Sequence, residues 1–170
     1  MARLFFALWP DDAVRAALAA WSAALHPVCG GRRIPAGNLH ATLAFLGETP
    51  DEAQPGLRAA AGAVDTPRFE LVLDAPGYWK HNRIAWAGAS AFPIALPALA
   101  DKLRGGLAAR GVRFDPKPFV THVTLLRDAR PAAGLPPPSA LAPIRWPVSD
   151  FCLVRSAAGR YEVLARWPLA

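Results

Sequence analysis

The organising segment of this sequence is Asn38-Leu39-His40-Ala41-Thr42-Leu43-Ala44-Phe45-Leu46-Gly47, and its pattern returns as Phe119-Val120-Thr121-His122-Val123-Thr124-Leu125-Leu126-Arg127. Both copies contain His-x-Thr-Leu inside an apolar run that favours a β-strand, and the two histidines lie 82 positions apart. Side chains two apart in a strand point to the same side. Each copy therefore presents an imidazole and a hydroxyl on one face and its large apolar side chains on the other.

Length and composition describe a globular protein with an excess of arginine. The 170 residues are enough for one sizeable core, and the 53% hydrophobic and 19% charged shares differ from those of disordered chains. The formal charge of +6 comes from 16 Arg and 3 Lys. Arginine suits phosphate because its planar fork donates two hydrogen bonds at once. Solvated surface arginines are the other interpretation, and the charge alone does not choose between them.

Cysteine usage and apolar runs predict the compartment. Cys29 and Cys152 are too few for a disulfide scaffold and lack the spacing of metal ligands, which predicts a reducing cytoplasm. The apolar run in residues 1–9 is too short for a signal peptide, and residues 84–100 are too short, and too rich in proline, for a membrane helix. A soluble cytoplasmic protein is expected, acting as a monomer, with no membrane and no protein partner.

Hydrophobic periodicity predicts helices between the strands. Apolar residues at helical spacing predict one helix after Asp11 or Asp12, with the stripe Val14, Leu18, Trp21 and Leu25. They predict another helix that ends at Gly111, with the stripe Leu96, Leu99, Leu103 and Leu107. Pro27 and Gly30-Gly31 are expected to end the first of them. Thr49-Pro50-Asp51-Glu52 resembles a capping box that starts a further helix toward Val64, with Pro55 as a residue that could kink this helix or delay its start.

Alternating segments predict the remaining strands. Residues 69–73 should pair with residues 83–87 after a turn at Ala75-Pro76-Gly77, and residues 148–155 should form a hairpin with residues 161–167. In each half an amphipathic helix precedes a His-x-Thr strand, which suggests a weak internal duplication. The expected fold class is α+β, with two antiparallel sheet lobes and helices on their outer faces.

The residue types in the two motifs suit phosphodiester cleavage. In-line cleavage needs one group to accept a proton from the attacking oxygen and another to protonate the departing oxygen, and two imidazoles can do both near neutral pH. Thr42 and Thr124 can donate hydroxyls to the phosphoryl oxygens, and Arg127 can add a positive fork. Strict alternation sends Arg127 to the face opposite His122, so it reaches the same side only if the strand twists, bulges or ends there.

Other kinds of site have less support. A lone histidine in an apolar strand is usually a hydrogen-bonded core residue, but a core has no reason to use the same polar pair twice. The sequence has no phosphate-binding Gly-rich loop, no Gly-x-Ser-x-Gly elbow and no His-Glu-x-x-His. A zinc site would want three or four clustered ligands, so no metal and no cofactor are expected. His26 and His81 lack a comparable context and are expected at the surface.

Substrate contacts are harder to place. A terminal nucleotide could stack on one of five aromatic candidates, which are Phe45, Tyr78, Trp79, Trp86 and Phe119. The cations that precede the two motif strands, Arg32, Arg33 and Lys117, could meet an RNA backbone. Core packing of the aromatic residues and solvation of the cations are the alternatives.

The paired motif resembles the signature of the two-histidine (2H) phosphoesterase superfamily. The start of the chain, the Asn38-Leu39 lead-in and the total length are more narrowly similar to bacterial and archaeal RNA 2',3'-cyclic phosphodiesterases, once called 2'-5' RNA ligases. The resemblance implies a bilobal, pseudo-twofold fold with a central cleft, built as one domain of two interleaved lobes over residues 1–170. It implies that RNA with a 2',3'-cyclic phosphate terminus is hydrolysed without metal to a 2'-phosphate.

The resemblance also assigns roles. The family's proton donor corresponds to His40 and its proton acceptor to His122, with Thr42, Thr124 and Arg127 as substrate-binding residues. The reverse reaction, joining RNA ends through 2'-5' linkages, is implied as a side reaction. Two alternatives stay open at this point: a 2H enzyme acting on a small cyclic nucleotide or a 2'-5' oligonucleotide, and a binding module that holds RNA without turning it over.

Overall fold

The chain begins with a strand that is covered on both faces, which explains its unbroken apolar run. In the computed structural model, which describes residues 1–170, the elements are β1 (Ala2–Leu8), α1 (Asp12–Cys29), β2 (Arg32–Arg33), β3 (Ala41–Thr49), α2 (Gln54–Gly62), β4 (Phe69–Leu73), β5 (Ala75–Trp79), β6 (Ile84–Gly88), α3 (Ala95–Ala109), β7 (Val123–Arg127), β8 (Ile144–Val148), β9 (Asp150–Ala157) and β10 (Arg160–Pro168). From β1, Leu4, Phe6 and Leu8 enter the main core. Phe5 and Ala7 join a small cluster on the opposite face.

The strands form two antiparallel sheets, as predicted. The larger sheet has the order β10-β9-β1-β3-β7-β6-β5, with β2 also paired to β7, and the smaller sheet consists of β4 and β8. We call β10-β9-β1-β3 the first lobe and β7-β6-β5 with β2 the second lobe. The lobes join where β3 pairs with β7, through the single pair Ala41 and Val123. The two motif strands are therefore neighbours at the centre of the molecule.

The helices cover the core face of the sheet. Asp11 caps α1 by accepting a hydrogen bond from the amide of Val14 at 2.8 Å. Both stripes expected from the sequence are buried. Helix α1 follows a strand of the first lobe but packs against β6 and β7 of the second lobe, and α3 follows the second lobe but packs against β3. Helices α1 and α3 thus each cross to the lobe they do not follow, and the other face of the sheet is left open as a cleft.

One predicted helix end and one predicted helix start need correction. Helix α1 ends at Cys29, directly before the predicted glycine pair, and the amide of Gly30 donates to the carbonyl of His26, but Pro27 lies inside the helix and does not end it. Pro27 lacks the amide hydrogen that would bond to the carbonyl of Ala23, so the helix continues past it with one backbone hydrogen bond missing. The capping box does not form, because the Thr49 hydroxyl donates to the carbonyl of Gly47 at 3.0 Å. Helix α2 begins only at Gln54, which is the delayed start that Pro55 suggested.

The predicted pairing of residues 69–73 with residues 83–87 is also wrong. The segment taken as a turn is itself strand β5, which pairs with β6, while β4 pairs with β8. Proline suggested a turn at Pro76, but β5 is an edge strand, where a missing amide donor is tolerated. The hairpin of β9 and β10 turns at Ala158 and Gly159 as expected.

Candidate active site

The pairing of β3 with β7 brings the two His-x-Thr motifs face to face. Ala41 and Val123 are the paired residues, and both are buried on the core side. Continuing the antiparallel register by one residue sets His40 across from Thr124 and Thr42 across from His122. Because side chains alternate, all four point away from the core, and all four line the cleft. Two imidazoles and two hydroxyls therefore form one compact group.

Both imidazoles are oriented by the same local hydrogen bond. The Nδ1 atom of His40 lies 2.7 Å from the carbonyl oxygen of Asn38, and Nδ1 of His122 lies 2.9 Å from that of Val120. A carbonyl only accepts, so Nδ1 carries the proton and donates in both rings. Nε2 is left facing the cleft, where the Thr42 hydroxyl lies 3.0 Å from Nε2 of His40. The two nitrogens that face the cleft are thus the ones free to exchange protons.

Aromatic rings surround His40 on the first lobe. Phe5 and Tyr161 lie with ring centroids 4.7 and 5.4 Å from the imidazole, and Trp9 stacks on it at 6.0 Å. The guanidinium of Arg15 lies 5.1 Å from the ring centroid of Trp9 and donates to the carbonyl of Leu39 at 3.1 Å. Arg15 thereby ties α1 to the loop that carries His40.

This environment favours the neutral form of both imidazoles in the free protein. Burial lowers the pKa of His40 from 6.5 to about 4, with smaller contributions from the nearby His122, Arg127 and Arg15. Burial, and then the charge of Arg127, also lowers the pKa of His122. An anion that enters the cleft would favour the protonated form of both rings and so oppose these shifts.

The lowered pKa of His40 predicts a specific dependence of stability on pH. The unfolded chain binds this proton more tightly than the folded one, so the free energy of unfolding should fall as pH drops from 6.5 towards 4. At 1.36 kcal/mol per unit, the full contribution is about 3 kcal/mol. In urea unfolding, the free energy of unfolding of His40→Gln should fall by about 3 kcal/mol less than that of the wild type over this pH range. His81→Gln, which changes a histidine in an exposed turn, should show the same pH dependence as the wild type. Identical pH profiles for wild type and His40→Gln would contradict the burial of this ring.

Two tryptophans support His122 on the second lobe. The ring centroid of Trp79 lies 4.6 Å from that of His122, and Trp86 lies 5.1 Å from Trp79. The indole of Trp86 rests directly on the backbone of Gly77 and Gly88, where a Cβ would overlap the ring. These glycines are therefore needed as space for Trp86.

Gly77→Ala should accordingly disturb both folding and catalysis. Overpacking of this kind costs about 1–3 kcal/mol, and displacement of Trp86 would reach His122 through Trp79. Thermal unfolding and kcat measure the two effects. Gly105→Ala is the matched control, because Gly105 is exposed in α3 with open space around it, and alanine there should stabilise the helix by about 0.5–1 kcal/mol. Unchanged stability and activity in Gly77→Ala would remove the steric argument.

A bulge at the same position of each motif turns the fifth residue after each histidine into the cleft. In the pairing of β1 with β3, Leu43 has no partner, and in the pairing of β6 with β7, Leu125 has none. An extra residue in one strand reverses the alternation beyond it. Phe45 and Arg127 therefore line the cleft beside their histidines. Arg127 was expected to reach the face of His122 only if the strand twisted, bulged or ended, and the bulge at Leu125 is the feature that brings it there.

Each bulge is held by a hydrogen bond from outside the strand pair. The carbonyl of Leu43 accepts from Nε of Arg104 at 3.2 Å, and the carbonyl of Leu125 accepts from the amide of Ile34 at 2.9 Å. Arg104 also donates to the carbonyl of Lys117 at 2.8 Å. It therefore fixes both the first bulge and the segment that leads to the second motif.

The cleft has a volume of about 1100 Å³ and a basic lining. Its cations are Arg3, Arg104, Lys117, Arg127 and Arg155, and its carboxylates are Glu48 and Asp115. Arg155 pairs with Glu162, Lys117 lies 3.8 Å from Asp115, and Arg3 lies over the ring of Phe45. The guanidinium of Arg127 has no hydrogen bond or ion pair, which leaves it free to meet an anion between the imidazoles.

Some of the aromatic and cationic residues predicted to contact the substrate line the cleft, and the others lie outside it. Among the aromatic residues, Phe45, Trp79 and Phe119 line the cleft, whereas Trp86 packs behind Trp79 and Tyr78 lines a separate groove. Of the three cations expected to meet the RNA backbone, which are Arg32, Arg33 and Lys117, only Lys117 lies in the cleft.

Arg32 and Arg33 lie outside the cleft. Arg32 pairs with Asp128 at 2.9 Å, and Arg33 bonds to Ser22 and Ala19. Phe5 and Tyr161 were missed, because only the pairing of β1 between β3 and β9 puts them on this face.

Two further observations bear on the type of site. No group of three or more His, Cys, Asp or Glu side chains converges anywhere in residues 1–170. None of the helices is long and apolar enough to cross a membrane.

Comparisons with known proteins agree on one family. The sequence model described as LigT like Phosphoesterase matches residues 8–86. RNA 2',3'-cyclic phosphodiesterase of Escherichia coli is 39% identical, over 98% of this chain and 96% of the relative. The protein of that name from Thermus thermophilus is 37% identical, over 91% of this chain and 81% of the relative.

Solved structures show the same fold. The crystal structure of Escherichia coli LigT in its apo form superimposes with a TM-score of 0.87 at 40% identity, covering 99% of this chain and 98% of that one. The structure of LigT complexed with 3'-AMP gives a TM-score of 0.87 at 39% identity with the same coverage. The expected fold class, with its central cleft, is confirmed.

Proposed function

The chain belongs to the LigT-like phosphoesterase family, and from this premise we propose that it hydrolyses RNA 2',3'-cyclic phosphodiester ends to 2'-phosphomonoesters. One observation carries the proposal. The register of the Ala41 and Val123 pair presents both His-x-Thr motifs to one cleft, as a reaction at a single phosphate requires. The curated relatives named RNA 2',3'-cyclic phosphodiesterase match over nearly the whole chain, so the substrate class follows from the family.

The proposed reaction uses the two imidazoles on opposite sides of the phosphorus. Nε2 of His122 accepts a proton from a water molecule as its oxygen attacks the phosphorus in line. The bond from phosphorus to the 3' oxygen breaks, and Nε2 of His40 gives its proton to that oxygen, which departs as a hydroxyl. The phosphate then remains on the 2' oxygen, and the two rings exchange protons with solvent before the next turnover.

Three side chains are proposed to hold the phosphoryl oxygens. The hydroxyls of Thr42 and Thr124 flank the position between the imidazoles, and the unpaired guanidinium of Arg127 faces it. As negative charge grows on the phosphoryl group, these fixed donors stabilise it without having to reorganise.

The lowered pKa values suit a site in which His40 gains its proton when the substrate binds. A neutral cleft avoids holding an uncompensated imidazolium beside Arg127. The entering phosphodiester is an anion, and its charge raises the pKa of His40, so the proton donor forms together with the complex. Substrate binding and proton uptake are then one coupled step.

We also propose that the protein works as a monomer in the cytoplasm. Every group in the scheme comes from one chain. Both cysteines, Cys29 and Cys152, are buried free thiols, which fits a reducing compartment.

The test is hydrolysis of an RNA oligonucleotide that ends in a 2',3'-cyclic phosphate, with chelator present and ³¹P NMR of the product. A 2'-monophosphate is expected. A 3'-monophosphate would reverse the proposed leaving oxygen, and the absence of turnover would overturn the function.

A further inference from the structure

A second basic groove lies on the outer side of the β5–β6 hairpin. It has a volume of about 620 Å³ and is lined by six residues: Tyr78, Lys80, Arg83, Arg130, Pro131 and Ala132. Half of these residues are cations and none is acidic. The groove is separate from the catalytic cleft.

The three cations of this groove are exposed and unpaired. The side chains of Lys80, Arg83 and Arg130 form no ion pair and no hydrogen bond within the chain, although five other ion pairs lie on the surface. Asp128, a carboxylate within electrostatic range of Arg83, is already paired with Arg32. Keeping three like charges together without a counter-charge of their own costs energy unless an anion neutralises them. Their arrangement therefore points to a polyanionic ligand.

The groove is held in shape by hydrogen bonds around Ala129. The amide of Ala129 donates to the carbonyl of Arg83 at 2.9 Å, and the hydroxyl of Tyr78 donates to the carbonyl of Ala129 at 2.7 Å. The amide of Arg130 donates to the carbonyl of Cys29 at 2.7 Å. These bonds fix the segment after β7 against the hairpin turn, so the backbones from which the Arg83 and Arg130 side chains extend are held in place.

The hairpin links the groove to the catalytic cleft. Residues of the hairpin contribute to both, since Trp79, His81 and Asn82 line the cleft, whereas Lys80 and Arg83 line the groove. A cyclic phosphate closes the 3' end of an RNA, so every further nucleotide lies on its 5' side. The chain leaving the cleft around the hairpin tip would meet these cations next.

We propose that Lys80, Arg83 and Arg130 form a subsite for backbone phosphates of the RNA on the 5' side of the cyclic end. This inference rests on the proposed function and deepens it, because the subsite distinguishes a polymeric RNA from a mononucleotide. The binding is independent of base sequence and weakens with salt.

The test compares two substrates and two charge-matched variants. Lys80→Gln/Arg83→Gln/Arg130→Gln removes the groove cations, and Arg58→Gln/Arg68→Gln/Arg110→Gln removes the same charge from residues that line neither the cleft nor the groove. Each is assayed on a ten-nucleotide RNA with a 2',3'-cyclic end and on a mononucleoside 2',3'-cyclic phosphate, over a range of salt concentrations.

The groove variant should raise KM for the oligonucleotide about tenfold or more and leave KM for the mononucleoside within twofold of wild type. The dependence of log kcat/KM on log salt for the oligonucleotide should become shallower by about 0.7 for each phosphate that the groove no longer binds. Equal KM changes on both substrates, no change on either, or the same effect in the control variant would overturn the subsite. A wild-type protein that turns over neither substrate would instead overturn the proposed function.

Discussion

His40→Ala and His122→Ala should each lower kcat on cyclic-ended RNA by at least about a hundredfold, the low end of what a general acid or base contributes. The expectation follows from geometry, because both Nε2 atoms face the same cleft and both Nδ1 atoms are held by backbone carbonyls. No neighbouring group is placed to replace either one. Steady-state kinetics with purified variants, after circular dichroism has confirmed folding, provides the measurement.

A leaving group that needs no proton separates the two roles. On a diester with a 4-nitrophenolate leaving group, His40→Ala should recover most of its lost rate, whereas His122→Ala should stay slow. His26→Ala serves as the control, since His26 lies outside the cleft. The opposite pattern, with His122→Ala rescued, would exchange the two assignments. Full activity in both variants would remove the two-histidine mechanism.

Arg127→Gln should lower kcat/KM by about a hundredfold to a thousandfold, the usual loss when one donor to a developing oxyanion is removed. Its guanidinium is free of ion pairs and lies close enough to lower the pKa of both histidines. Arg127→Lys keeps the charge but loses the planar fork, so a smaller loss is expected. Kinetics on the cyclic-ended RNA compares the two.

The histidine pKa values give a second readout for Arg127. In Arg127→Gln, NMR titration should show the pKa of His40 and of His122 raised relative to wild type, since one cause of their lowering is gone. Arg68→Gln, an exposed arginine outside the cleft, should change neither the kinetics nor these values. If Arg127→Gln retained wild-type kcat/KM, a phosphate contact for this residue would be excluded.

The motif geometry could be predicted from sequence because it depends only on strand alternation. His40 and Thr42 share a face in any extended conformation, as do His122 and Thr124. Their convergence required one further fact, that β3 and β7 are neighbours, and the repeated motif suggested it. Arg127 could be placed only conditionally, because a bulge is a property of the pairing between two strands and leaves no local signal in Leu125.

Long-range contacts limited the remaining predictions. The aromatic rings around His40 come from both ends of the chain, with Phe5 and Trp9 near its start and Tyr161 in β10. Pro76 and Gly77 have the composition of a turn, yet the edge position of β5 and the ring of Trp86 explain both residues in a strand. The basic groove joins the β5–β6 turn to Arg130, so no local charge run reveals it.

The central claim is that both imidazoles meet one phosphate, and an NMR titration of the histidine ring nitrogens with a nucleoside 2'-monophosphate tests it most directly. Resonances of His40 and His122 should shift together, saturate at one common Kd and report raised pKa values for both rings. A response confined to one ring, or two responses with different Kd values, would show that the motifs do not act on a shared phosphate.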